Sequence, residues 1–156
     1  MKTSQDISGR PGPAGPLFDA GLLDRREDLV IEHTIATVTR QPGAAAPSTL
    51  LGSGLSRVVP FEKQPLPCDE TVRHYFGSML AAFPDLEHEV FSVHHTTDAV
   101  LLEARINGTQ SADWRDIPNR GKRMDLPVAV LCHFDGDLLL DEALYYDHAD
   151  ALRQLT

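Results

Sequence analysis

The chain is 156 residues long, enough for one domain whose core needs no covalent staples, and its 42% apolar and 24% charged residues are those of a soluble globular protein. With 14 Lys and Arg against 23 Asp and Glu, the net charge of −9 argues against a nucleic-acid partner, whose phosphates need a basic surface. Cys68 and Cys132 fall in no metal-ligand spacing and no apolar run exceeds strand length, so the expectation is a reduced, cytoplasmic protein without leader, metal or membrane span.

Residues 1–16 (MKTSQDISGRPGPAGP) read as an arm with little regular structure of its own, and residues 17–156 as the single domain. Apolar residues at 17, 18, 22 and 23 predict a short helix over residues 17–28. The β-branched stretch 29–39 (LVIEHTIATVT) predicts a strand, with Ile31, His33, Ile35 and Thr37 on one face. Residues 40–68 hold five prolines and enough leucine, valine and Phe61 to form a lid or wall, with a short strand or turn at 56–61. A helix follows over 69–83: Asp69 is a suitable N-cap, Tyr75, Phe76, Met79, Leu80 and Phe83 recur at helical spacing, and Pro84 closes it. Four strands come next, at 87–95, 98–109, 123–134 and 138–146, the last two joined by Asp135-Gly136, and a helix at 147–155 ends the chain. Helices followed by an antiparallel meander predict an α+β fold. In the second of these strands Glu103, Arg105 and Asn107 alternate onto one face, which is either a solvated surface or the polar lining of a cavity.

One ordered set of short motifs carries a resemblance. Phe83-Pro84-Asp85-Leu86, Gly108-Thr109, Ile117-Pro118, Gly121-Lys122-Arg123, Asp135-Gly136, Tyr145-Tyr146-Asp147 and Leu152-Arg153-Gln154-Leu155 follow one another as in the SnoaL-like polyketide and ester cyclases. That family lies in the nuclear-transport-factor-two-like superfamily, with limonene epoxide hydrolase and ketosteroid isomerase. Upstream, Asp28-Leu29-Val30-Ile31-Glu32-His33 resembles the family's segment that enters the cavity, whereas a Pro/Gly arm stands where the family opens with a long amphipathic helix. The resemblance implies a cone: a curved antiparallel sheet wrapped around N-terminal helices, a cystatin-like α+β barrel. It also implies an apolar cavity and a homodimer packed through the sheet.

Carried over position by position, the resemblance sets Arg105 where the epoxide hydrolases hold a cavity arginine, and Asn107 and Leu144 where they hold acids. The general base of the aldol-type cyclases also falls on Leu144. A leucine cannot accept a proton. Glu142, two residues earlier on the same face of a regular strand, can replace it, or Asp141 if a bulge intervenes. Glu103 beside Arg105 is another carboxylate, Asn107 can orient water or a carbonyl, and His33 suits proton shuttling or a structural role. The catalytic candidates are therefore His33, Glu103, Arg105, Asn107 and Glu142; Tyr75, Met79, Trp114, Leu144 and Tyr146 are the candidates to touch substrate. His94-His95 is not spaced to share a metal, and no phosphate loop or nucleotide fingerprint occurs, so neither metal nor cofactor is expected. The expected function is a cofactor-independent cyclase or isomerase of secondary metabolism acting on a small apolar, polyketide- or terpenoid-like ligand. One alternative is epoxide opening, with Arg105 and an acid on one water. The other is a non-catalytic binding protein, which Leu144 favours.

Overall fold

A 19-residue helix, α1 (Ala20–Val38), opens the described chain. The computed structural model describes residues 19–38, 54–61, 63–64, 66–67 and 72–156, so the arm at 1–16, the segment 40–53 and the cap Asp69 lie outside the described residues. The helix expected at 17–28 and the strand expected at 29–39 are, over residues 20–38, one helix. Its buried side chains, Arg26, Val30, His33 and Thr34, recur at helical spacing and make the stripe that meets the sheet. Strand propensity spans only about 1 kcal/mol per residue from best to worst and depends on context, whereas burying an apolar side chain is worth about 1.5–3 kcal/mol, so packing overrides the β-branched composition. The Thr34 hydroxyl is satisfied within the helix, donating to the Val30 carbonyl at 2.7 Å. Arg26 ties α1 to two hairpin turns: Nε donates to the Gly136 carbonyl at 2.6 Å and Nη1 to that of Thr97 at 3.1 Å.

Six strands form one sheet in the order β2-β1-β6-β5-β4-β3, where β1 is Leu55–Val58, β2 Leu66–Pro67, β3 Glu87–His95, β4 Ala99–Thr109, β5 Arg123–Asp135 and β6 Leu138–Tyr146. Strands β3 to β6 are the expected antiparallel meander. Strand β1 joins parallel to β6, so the sheet is mixed rather than wholly antiparallel. Leu102, Ala104 and Ile106 of β4 and Leu126, Val128 and Val130 of β5 are buried in strict alternation and form the inner face. Two bulges re-phase the edges of this face. Phe91 is the extra residue between the Val90–Ala104 and Ser92–Glu103 pairs and stands 52% exposed. In β6 the register slips between the His133–Asp141 and Phe134–Leu139 pairs, so Leu139 and Glu142 are buried while Asp141 meets His133 at 2.6 Å.

The helix expected over 69–83 is a widened, π-type turn at Val72–Phe76 running into α2 (Gly77–Ala82). Helix α3 (His148–Leu155) is capped by Asp147, whose side chain accepts the Ala149 and Asp150 N–H groups. The Phe83-Pro84-Asp85-Leu86 turn and Gly108-Thr109 form one joint. Asp85 accepts the Thr109 N–H at 2.6 Å, and a Cβ on Gly108 would stand 3.2 Å from Phe83 Cβ and 3.3 Å from Leu86 Cα. Among the described residues, no helix is long and apolar enough to cross a membrane.

Candidate active site

Between α1, the turn leading into α2, and the inner face of the sheet lies a cavity with apolar walls from Phe76, Met79, Ile106, Val128, Val130 and Leu144. Three polar side chains interrupt that lining: Thr34, His88 and Glu142. The cavity leaves ≈ 30 Å³ for the centres of water-sized groups, so an organic ligand requires side chains such as the flexible Met79 to give way.

Glu142 is the chemical centre of this space. Its Oε2 lies 2.8 Å from His33 Nε2, and its Oε1 accepts the Ser56 hydroxyl at 2.9 Å. The three groups come from three elements, α1, β1 and β6, and are 0%, 2% and 7% exposed for His33, Ser56 and Glu142. Burial pushes the Glu142 carboxyl up, but the His33 hydrogen bond and charge, with the Ser56 hydroxyl, outweigh it and hold the group below its ordinary value. Each carboxylate oxygen keeps a second lone pair, so the ionised group can still accept a proton. Glu142 and Leu144 line the same cavity, so an acid stands two residues before the leucine on the same face.

His88 is one of the cavity-lining residues absent from the sequence expectation. Its Nε2 is buried and has no hydrogen-bond partner among the described residues, and burial lowers its pKa. The available signal was parity: His88 and Val90 share the inward face of β3 ahead of the bulge. Nearby, the Tyr75 hydroxyl donates to that of Tyr146 at 2.7 Å. Burial pushes the Tyr146 phenol up to about 12, against the opposing effects of the Tyr75 bond and the Arg115 charge. Arg115 sits at φ 56° in the turn between Trp114 and Ile117, its guanidinium 3.9 Å from the centre of the Phe61 ring.

The expected polar lining on β4 is on the other side of the sheet. Arg105 pairs with Asp125 at 3.1 Å and lies over the Phe91 ring, Glu103 is exposed and bonded to Ser92 and His94, and Asn107 accepts from Arg123. The reason is alternation itself: the apolar residues of β4 claim the concave face, and the polar set one residue out of phase is left to solvent. Arg105 and the cavity acid are therefore not brought to one water. Of the expected substrate contacts, Met79 and Leu144 line the cavity. Trp114 does not roof a mouth. It is fully buried, 5.5 Å from Phe83 and 6.3 Å from Tyr75 between ring centres, and wedges the 111–122 loop into the core. Cys132 is paired in register with Glu142, and burial together with the Glu142 and Asp141 charges raises its thiol well above 9.0. Among the described residues no cluster of His, Cys, Asp and Glu could hold a metal ion.

The profile of the SnoaL-like polyketide cyclases matches residues 56–155. No protein of curated function matches the sequence. The fold is shared with solved structures of low identity. A proposed SnoaL-like polyketide cyclase from Jannaschia sp. CCS1 superposes with TM-score 0.74 at 16% identity, over 90% of this chain and 97% of its own. A proposed polyketide cyclase from Acidithiobacillus ferrooxidans gives 0.65 at 21% identity, over 84% and 94%. IdmH of Streptomyces antibioticus, also a proposed polyketide cyclase, gives 0.66 at 16% identity, over 83% and 97%.

Proposed function

The chain belongs to the SnoaL-like polyketide cyclase family, and from that premise we propose that it is a cofactor-independent cyclase or isomerase in which Glu142, coupled to His33, moves the proton. The observation that carries this reading is the buried Glu142 carboxyl group at the wall of an apolar cavity, held by an imidazole and a hydroxyl. The walls around it are apolar and Glu142 is buried, so a carbonyl compound with a C–H next to its carbonyl meets a base shielded from bulk solvent. Glu142 takes the proton, the C–H electron pair moves into the carbonyl as an enolate, and the enolate either closes onto a second carbonyl or is reprotonated elsewhere. His33 keeps its hydrogen bond to the carboxyl throughout, and the protonated Glu142 gives its proton to the alkoxide that ring closure leaves, or to another carbon of the enolate in an isomerisation, which returns it to its ionised state. A ligand of polyketide- or terpenoid-like character in secondary metabolism fits the apolar lining. A homodimer through the outer face of the sheet is part of the same reading, supported by the exposed Phe91 there.

Epoxide opening through Arg105 draws no support from the geometry, because that side chain is ion-paired on the outer face. The test is solvent-hydrogen exchange. Small cyclic ketones are incubated in D2O with wild type, Glu142→Gln and His33→Gln, and deuterium uptake is followed by NMR. The expected result is acceleration by wild type, a loss of about 100-fold or more in Glu142→Gln, within the range of general-base effects, and a smaller loss in His33→Gln. Ketone binding with equal exchange in wild type and Glu142→Gln would identify a non-catalytic binding protein instead.

A further inference from the structure

Outside the His33–Glu142 pair, one cavity group has hydrogen-bonding capacity that the described residues do not use. His88 lines the cavity, and its Nε2 is buried without a partner among the described residues. A buried imidazole nitrogen that nothing meets costs stability, so its place in a lining that is apolar apart from Thr34 and Glu142 calls for an occupant that meets it. Its position restricts what that occupant is. His88 lies on β3 and Glu142 on β6, and β4 and β5 stand between them. Three strand spacings separate the two strands by on the order of 14 Å along the sheet. One atom of a ligand cannot bond both groups; a ligand with polar groups at two ends and an apolar middle can.

We infer that His88 is a specificity-determining residue that hydrogen-bonds a polar oxygen at the end of the ligand remote from Glu142. The preferred ligand is then an elongated, mostly apolar molecule with an oxygen function at each end. The walls between the two ends, Ile106, Val128, Val130 and Met79, offer no polar partner, which fits an apolar middle. Burial lowers the His88 pKa, so at neutral pH the ring is uncharged and suits a neutral carbonyl or hydroxyl rather than an anion. This inference rests on the cavity being the ligand site, as in the function proposed above.

The experiment compares two probes by calorimetry, 2-naphthol and 2,6-dihydroxynaphthalene, which differ by one hydroxyl at the far end. In wild type the diol is expected to bind about tenfold tighter, the upper range for one neutral hydrogen bond. His88→Leu should bring the ratio to about one, and His88→Gln, which keeps a polar end, should retain most of it. If His88→Leu does not fold, wild type with 15N-labelled histidine serves: the His88 Nε2 resonance should move with the diol and stay with 2-naphthol. A diol preference unchanged in His88→Leu, an unmoved Nε2 resonance, or no binding of either probe would each overturn the inference. Loss of ketone exchange as the failing result, with the His88-dependent preference intact, would instead remove only the proposed catalysis.

Discussion

Replacing Glu142 by glutamine keeps the side chain's shape and removes its charge, and two effects then compete. Removing one partner of a buried ion pair costs ~3–5 kcal/mol when the other charge is stranded. Here the other partner is an imidazole rather than a permanent cation, and the glutamine carbonyl can still accept the Ser56 hydroxyl. What remains lost is the extra strength of two charge-assisted hydrogen bonds, roughly 0.5–1.5 kcal/mol each, partly offset because no charge need be desolvated. Urea denaturation at pH 7 should therefore show Glu142→Gln less stable by ~1–2 kcal/mol. The sign with pH follows from the lowered Glu142 pKa. A carboxylate held below its ordinary value of 4.5 contributes its full stability above that pH and loses it as pH falls through the folded value. The gap between wild type and variant should close in acid. A deficit of 3 kcal/mol or more at pH 7, or one that persists undiminished in acid, would refute this account of the pair.

Arg105→Ala should change stability by less than ~0.5 kcal/mol and leave ligand affinity unaltered, since the Arg105–Asp125 pair is exposed; a large loss of affinity by calorimetry would put Arg105 back in the site. Gly108→Ala should cost ~1–3 kcal/mol by urea denaturation, because the Leu86 Cα that a new Cβ meets at 3.3 Å is backbone and cannot rotate away. Cys132, fully buried with a raised pKa, should react with a thiol reagent at pH 8 only as fast as the chain unfolds, so its labelling rate should rise with urea in step with denaturation. Tyr146, with its phenol at about 12, should stay un-ionised by ultraviolet absorbance at pH 10.5, where a free tyrosine is already mostly ionised.

The meander was legible because period-two alternation and the Asp135-Gly136 turn are local signals, and the joint of Phe83 to Leu86 with Gly108-Thr109 has a local geometric cause. Helix α1 was not, because its second half is β-branched and its helical stripe becomes decisive only once a sheet is there to receive it. The site divided along the same line. Glu142 was reachable by counting two residues from Leu144, and His33 by its resemblance to the segment that enters the cavity. Glu103, Arg105 and Asn107 were read on the wrong face because a strand pattern gives alternation without saying which face is inside, and a one-residue offset inverts every side chain. The apolar parity of Leu102, Ala104 and Ile106 on the same strand held the answer. Ser56 lies in a stretch whose composition says only that it is irregular, and its partnership with Glu142 depends on a long-range parallel pairing that no local pattern encodes.

That pairing has a consequence for how such a protein can diverge. Strand β1 is four residues long and follows a segment rich in Gly, Ala and Pro, yet it borders β6 along Asp141 to Leu144 and delivers Ser56 to the carboxylate. Glu142 is thus moored to the meander on one side and to a short splint on the other. Insertions or substitutions in the splint can retune the acidity of Glu142 while the barrel and its cavity walls stay as they are. Lineages sharing this scaffold could then drift in the pH at which they work without redesigning the room in which the chemistry happens.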